Sequence, residues 1–306
     1  MNGHRVKRAP LQVVETVAQA GPELAATAAT AGPFLVGKLR ALDGRLGAVV
    51  PRVLASADDE EAVHDLRVAL RRTRTILEVG RRVLGPFHAG AVRRALREVM
   101  QATGDLRDDE VLLQLVGSLG VTHPEVQSWL DARRRRERRL RSALLRAVRD
   151  GALERGRVLL QALLVFPIDP RRDRRLAKFA RRAVDRARRE VDRRRDARPE
   201  DAEALHELRI AYKRLRYTAE TFADALPSDL AALAQPAARL QGRLGDLHDA
   251  DVAIGCVRRA RGMGPEARTA LLAALDVERA ARVVAYARES GVPVVPAVVS
   301  GSEDQT

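Results

Sequence analysis

The chain contains one cysteine, Cys256, so it can form neither an internal disulfide bond nor a zinc site built from several thiolates. Such cysteine use is typical of the reducing cytoplasm, where we expect the protein to reside. No apolar run approaches the roughly 18 residues needed to cross a membrane. The basic N-terminus is followed by no long apolar stretch with a cleavage site. We therefore expect neither membrane insertion nor a secretory leader.

Aromatic residues are also scarce, at 3% of the chain, and the runs of β-branched and aromatic residues typical of strands are missing. Alanine, leucine, valine and arginine dominate, and most of these residues favour helices. Glycine and proline punctuate the sequence at regular intervals, which predicts an all-α fold. The predicted helical segments are residues 34–54, 60–84, 88–103, 124–149, 171–195, 200–226 and 265–290.

The helical pattern also predicts the domain organisation. Residues 1–33 are expected to form a flexible N-terminal tail, and residues 291–306 a disordered C-terminal tail. A proline-containing linker at residues 167–170 separates a first helical repeat, residues 34–166, from a second, residues 171–290.

Acidic residues are in the minority, since 55 lysines and arginines face 41 aspartates and glutamates, a formal net charge of +14. This excess predicts an anionic partner. All but four of the basic residues are arginine, whose planar fork of donors suits phosphate oxygens. A genome rich in arginine codons explains the preference over lysine equally well. The case for a phosphate ligand therefore depends on the positions of the arginines.

Two parts of the chain repeat each other. HDLRVALRRTRTILE begins at His64, and HELRIAYKRLRYTAE begins at His206, 142 residues later. A second pair of segments, GDLRDDEV from Gly104 and GDLHDADV from Gly245, follows at almost the same offset. Two motifs in the same order at a nearly constant spacing predict an internal duplication.

The basic residues of each first motif step by three and four positions, so on a helix they share one face. We call this face the basic stripe. An apolar stripe with the same stepping lies beside it and is expected to dock the helix on its bundle. The basic stripe should therefore border a groove. The predicted binding residues are the eight stripe residues: His64, Arg67, Arg71 and Arg74, matched by His206, Arg209, Lys213 and Arg216.

Like charges stacked along a helix destabilise it by a few tenths of a kcal/mol per pair, so the stripes need a compensating anion. Glu78, Glu220 and the aspartates of the second motif are internal candidates, and a phosphate ligand is the external one. For any single arginine of the stripes, a salt bridge or a solvated helix face explains its position better than contact with a ligand. For the paired stripes together we favour a ligand, with His64 and His206 as additional donors.

The second motifs predict a helix break at a glycine followed by clustered acids. These acids are expected to cap the next helix, and two of them, Asp108 and Asp249, to orient stripe arginines through bidentate pairs. A carboxylate–metal site is the alternative. The residues concerned are Gly104, Asp105, Asp108, Gly245, Asp246 and Asp249.

These two pairs of motifs resemble the CHAD family, the conserved histidine α-helical domain, over about residues 34–290. The resemblance implies two four-helix bundles related by a pseudo-twofold axis, with a basic cavity or groove between them. It also implies binding of inorganic polyphosphate, sometimes with targeting to polyphosphate granules, and assigns the eight stripe residues, together with Arg72 and Arg214, to the binding surface. His248 stands where the first acidic motif has Arg107, so the two halves are not identical.

Catalytic motifs are missing from the sequence. Many CHAD proteins are fused to a triphosphate tunnel domain with a Glu-x-Glu-x-Lys run, which this chain lacks. No P-loop, Ser/His/Asp order or metal motif is present either, so we expect a binding protein without cofactor or metal. The alternatives are binding of nucleic acid or another polyanion, disfavoured by the few aromatics for base stacking, a scaffold for an acidic protein, and a polyphosphate or phosphate-ester hydrolase using His64 or His206.

Overall fold

A computed structural model describes residues 30–55 and 59–291, and there the only non-helical pairing is an isolated bridge between Thr30 and Arg175. The all-α fold class is thus confirmed. No helix in these ranges is long and apolar enough to cross a membrane. The helices of the first half are α1 (Ala31–Ala55), α2 (Glu60–Val79), α3 (Pro86–Ala95), α4 (Arg97–Ser118), α5 (Pro124–Arg149) and α6 (Ala152–Val165).

The second half contains α7 (Leu176–Asp192), α8 (Ala202–Thr221), a 3₁₀ turn (Ala223–Ala225), α9 (Ser228–Ala231), α10 (Ala234–Arg258) and α11 (Pro265–Ser290). Most of the two predicted tails lies outside the described residues. Residues 31–33 belong to α1, however, and Gly291 ends α11 in a left-handed conformation with φ of 72°.

Matched residues start the corresponding helices of the two halves. Asp59 caps α2 by accepting a hydrogen bond from the Ala62 amide at 2.8 Å, and Asp201 caps α8 in the same way at 2.9 Å. Both α5 and α11 begin with proline, which lacks the amide hydrogen that a first helical residue leaves unpaired. These starts follow the spacing of the sequence repeat, whereas the duplication itself stays a prediction.

Three apolar clusters fill the interior of the described chain. The first packs α1, α2, α3 and α6 around one half of α4 and of α5, and it also includes the start of α7. The third packs α7, α8, the first half of α10 and the second half of α11. The second cluster joins the two halves, because Leu115 of α4 and Trp129 of α5 pack in it with Ile254 of α10 and Leu271 of α11. The linked cores hold the two stripe helices in place relative to each other.

The predicted helix breaks at Gly104 and Gly245 are wrong, because α4 and α10 run through both residues. A glycine inside a helix costs about 1 kcal/mol relative to alanine, which the burial of the nearby Leu106 and Leu247 side chains offsets. The aspartates of these motifs therefore lie along helix faces and do not cap helix starts. The chain breaks instead at Leu96, between α3 and α4, inside the segment predicted as one helix over residues 88–103.

Close packing at this break leaves no room for a side chain at Gly156 of α6. An added Cβ there would lie 2.9 Å from Cγ of the buried Leu96 side chain. We expect Gly156→Ala to lower the free energy of unfolding by about 1–3 kcal/mol, the usual cost of overpacking. Gly104→Ala is the matched control, since its Cβ would meet nothing within 4 Å, and should raise stability by up to about 1 kcal/mol. Urea denaturation measures both, and shifts of the same sign would contradict the packing.

Candidate functional site

The two stripe helices, α2 and α8, pack against each other, as do the helices of the acidic motifs, α4 and α10. Four stripe residues meet where these helices cross: Arg67 and Arg71 from α2, and Arg209 and Lys213 from α8. We call them the central cation cluster. Burial, reinforced by the positive charges of Arg71, Arg209 and Arg67, lowers the pKa of Lys213 to about 7. The sequence stripes thus converge in one place.

Arg71 reaches across to the other half of the molecule. Its Nη1 donates a hydrogen bond to Tyr217 Oη of α8 at 2.8 Å, and its guanidinium carbon lies 5.9 Å from the centre of that ring. Arg216 lies 5.3 Å from the same ring. Tyr217, which is 7% exposed, therefore orients two arginines of different stripes. The sequence did not single it out, because Thr75 occupies the matching position of the first stripe.

Arg67 and Arg209 occupy matching positions and are both partly withdrawn from solvent. Arg67 Nη1 donates to the backbone oxygen of Thr103 at 3.1 Å, and burial lowers its pKa to about 10. Burial also lowers the pKa of Arg209. The Nε of Arg209 is buried and, within the described ranges, has no hydrogen-bond partner. A buried unpaired donor costs about 1–3 kcal/mol, so a ligand oxygen at this position would be stabilised.

Two carboxylates approach the cluster without pairing with it. Asp108 of α4 and Asp249 of α10 both lie close enough to raise the pKa of Arg209. Burial in turn raises the pKa of Asp249 to about 6, against the opposing charge of Arg209. Neither aspartate comes within the 4 Å of an ion pair, so the predicted bidentate pairs are not formed in the described chain. The central cation cluster keeps an excess of positive charge.

The remaining stripe residues lie at the margin of the cluster or are paired. Glu220 accepts a hydrogen bond from Arg216 Nε at 2.7 Å and lies 3.7 Å from Arg72 Nη2, so it is the internal anion predicted for these two residues. His64, Arg74 and Arg214 are exposed on the helix surface. The structure thus gathers four of the ten predicted residues at the centre.

His206 contacts a histidine instead of an anion. Its Nδ1 lies 3.2 Å from Nδ1 of His248, and the ring centres are 4.5 Å apart. Burial and the charge of Arg209 lower the pKa of His248 to about 4, so this ring is neutral at physiological pH. One of the two Nδ1 atoms must therefore donate to the other. This pair exists only in the second half, because Arg107 replaces His248 in the first.

The arrangement offers donors and positive charge, the chemistry that holds phosphate oxygens. Among the described residues, no group of three or more histidine, cysteine, aspartate or glutamate side chains is placed to hold a metal ion. The metal alternative for the acidic motifs therefore has no assembled ligand set in this part of the chain.

The fold consists of paired helix bundles, and two basic helices cross at its centre. This arrangement defines a known class of all-α proteins. The sequence profile of the CHAD domain matches residues 39–258, more than two thirds of the chain. The protein therefore belongs to the CHAD family. A comparison with curated proteins finds no match.

Solved structures show the same fold. The crystal structure of the CHAD domain from the plant Ricinus communis is similar with a TM-score of 0.66 and 21% sequence identity, over 87% of this chain and 94% of that one. PptA from Streptomyces chartreusis is similar with a TM-score of 0.65 and 18% identity, over 85% of this chain and 99% of that one. At these identities the likeness concerns the fold alone.

Proposed function

We propose that the chain binds inorganic polyphosphate at the central cation cluster and does not cleave it. One observation carries the proposal: Arg67, Arg71, Arg209 and Lys213 converge from two helices, and no carboxylate of the described chain forms an ion pair with any of them. Membership of the CHAD family supports the same ligand. An unpaired group of partly buried cations is costly to keep, and an anion that enters it offsets the cost.

A linear polyanion suits the site better than a single phosphate. Neighbouring stripe residues on a helix are roughly 5–6 Å apart, so one chain can contact several of them at once. Each contact releases counterions, which makes the affinity depend steeply on salt. Polyphosphate granules concentrate the same ligand in the cytoplasm, and we propose that the protein is targeted to them by this affinity.

Titration of the full chain with long-chain polyphosphate at several salt concentrations tests the proposal. If four cations contact phosphates, log K should fall with log salt with a slope of about −3, by analogy with single-stranded nucleic acids. Orthophosphate is the reference ligand and should bind far more weakly. Polyphosphate binding no tighter than orthophosphate binding at low salt would contradict the proposed function.

The same assay separates the alternatives. Single-stranded DNA or RNA that displaces polyphosphate at equal phosphate concentration would favour a nucleic-acid binder. An acidic protein partner would show itself by competing in the same way. Release of orthophosphate from polyphosphate, abolished by His206→Ala, would favour a hydrolase. We expect no release of orthophosphate, because His206 pairs with His248. We expect weaker competition by nucleic acid, because the chain has few aromatic residues for base stacking.

A further inference from the structure

The two basic stripes end differently, although their sequences match. In the second half, Glu220 binds Arg216 of its own stripe and approaches Arg72, which neutralises that end. In the first half, the matching Glu78 pairs with Arg93 of α3 instead. Arg74, the counterpart of Arg216, is thereby left exposed and has no acidic partner among the described residues. One end of the combined site is closed by an internal ion pair, and the other is open.

The open end leads into a pocket of about 680 Å³ between α2, α3 and the start of α4. We call it the arginine pocket. Four of its five arginines, all except Arg93, are exposed and lack an acidic partner in the part of the chain that the structure describes. The guanidinium groups come from three helices and the turn after α2, and they surround one space, unlike a charge run along a single solvated face. The five arginines are Arg74, Arg81, Arg93, Arg94 and Arg97.

The second half lacks the matching arginines. The segment from residue 81 to 101 contains five arginines, whereas the segment 142 positions later, residues 223–243, contains only Arg239 and Arg243. Arg239 Nε is moreover bonded to Glu289 at 2.7 Å. In the segments that follow the two stripes, the larger number of arginines therefore lies on the first-half side.

A row of arginines leads from the centre to the pocket along α2. Arg67, Arg71 and Arg74 follow each other at steps of four and three, and Arg81 comes seven residues after Arg74, just past the end of the helix. At 1.5 Å per residue the path from Arg67 to Arg81 is about 21 Å long. A compact ligand cannot occupy both ends, but an extended chain can.

We propose that polyphosphate leaves the central cation cluster on the first-half side only and occupies the arginine pocket, so that the pocket sets the preference for long chains. This inference rests on the proposed function, and it adds a second contact region and a single open end to it. Short chains fill the centre alone. Longer chains gain further phosphate contacts in the pocket, and their affinity becomes more sensitive to salt.

A chain-length series from tripolyphosphate to long polyphosphate, titrated into the full chain, tests this inference. The pocket variant replaces Arg81, Arg94 and Arg97 with glutamine. It should lose about tenfold or more in affinity for long chains and at most about twofold for tripolyphosphate. Its salt slope for long chains should be smaller by about two, since three contacts at about 0.7 each are lost.

Two control variants accompany the pocket variant. Replacement of Arg258, Arg259 and Arg261 with glutamine removes the same charge at the far end of α10, beside the second apolar cluster. The second apolar cluster includes Leu115 of α4, which lies about 27 Å along that helix from Arg97. The replaced arginines are therefore far from the arginine pocket. Arg239→Gln combined with Arg243→Gln tests the second-half side. Both controls should change the affinity for all lengths by less than about twofold.

The outcomes separate the inference from the proposed function. If the unmodified chain binds no length of polyphosphate better than orthophosphate, both fail. If it binds, but the pocket variant loses the same factor at every length, or no more than the controls, the arginine pocket is not a contact region. If the second-half control loses as much as the pocket variant for long chains, the site is open at both ends and the inference is overturned.

Discussion

Replacing Arg67 and Arg209 together with glutamine should weaken polyphosphate binding by at least about a hundredfold. Each supplies a partly buried guanidinium at the crossing of α2 and α8, and Arg209 Nε is left without a partner there. Hydrogen bonds to charged groups contribute about 1.5–3 kcal/mol each. Two of them thus amount to a hundredfold or more, since 1.4 kcal/mol is a factor of ten.

The matched control is the pair Arg135→Gln and Arg188→Gln, which removes the same charge from exposed positions on α5 and α7. We expect this control to weaken binding by less than about threefold, through the long-range field alone. Titration calorimetry or fluorescence competition at one fixed salt concentration measures both pairs. Equal losses would mean that net charge, and not the central cation cluster, determines the affinity.

The variant with glutamine in place of both arginines also separates an effect on binding from an effect on stability. Burial, together with repulsion between the cations at the crossing, lowers the pKa values of Lys213 and Arg67, so their charged forms are unfavourable there. Removing two of them should leave the thermal midpoint of the ligand-free chain unchanged or higher. A variant that loses binding and stability together would instead indicate a structural role for these arginines.

The helices themselves were largely predictable, because their signals are local. Segments 124–149 and 265–290 match α5 and α11 in the structure, since a proline at the first position marks each start. The breaks expected at Gly104 and Gly245 failed for the opposite reason. Whether a helix runs through a glycine depends on the packing of its neighbours, and Leu106 and Leu247 are both fully buried. Such tertiary stabilisation has no local signature.

The two stripes of the candidate site could be predicted from the sequence, but their arrangement in space and their ion-pair partners could not. Repetition and spacing identified the eight stripe residues, because side chains three and four apart share a helix face. They did not show that Arg72 pairs with Glu220 of the other half, or that Arg93 pairs with Glu78. Those choices depend on which distant helix lies alongside. Tyr217 was not predicted for a related reason, since its hydrogen bond with Arg71 forms only where α2 meets α8.

Polyphosphate affinity should fall as the pH rises from 7 to 9, by about tenfold per unit. The pKa of Lys213 is about 7 in the ligand-free chain, because burial and the surrounding arginines disfavour its charged form. Bound phosphates favour that form and raise the pKa again. Above pH 7 the ammonium must therefore take up a proton on binding, which costs affinity, whereas below pH 7 it is already charged.

Acidic pH should strengthen binding further through a different group. The pKa of Asp249 is raised to about 6, so its negative charge beside Arg209 is lost as the pH falls through that value. The affinity gained there persists in a Lys213 variant, which separates the two effects. His248, with a pKa of about 4, charges only below this range.

Lys213→Arg provides the decisive comparison, because the matching position of the first stripe is already an arginine, Arg71. Arginine remains charged at every accessible pH. The variant should lose the decline between pH 7 and 9 but keep the gain near pH 6. Calorimetry at pH 8 in two buffers of different ionisation enthalpy should show uptake of close to one proton for the unmodified chain and nearly none for the variant. The same uptake in both would place the titrating group elsewhere than on Lys213.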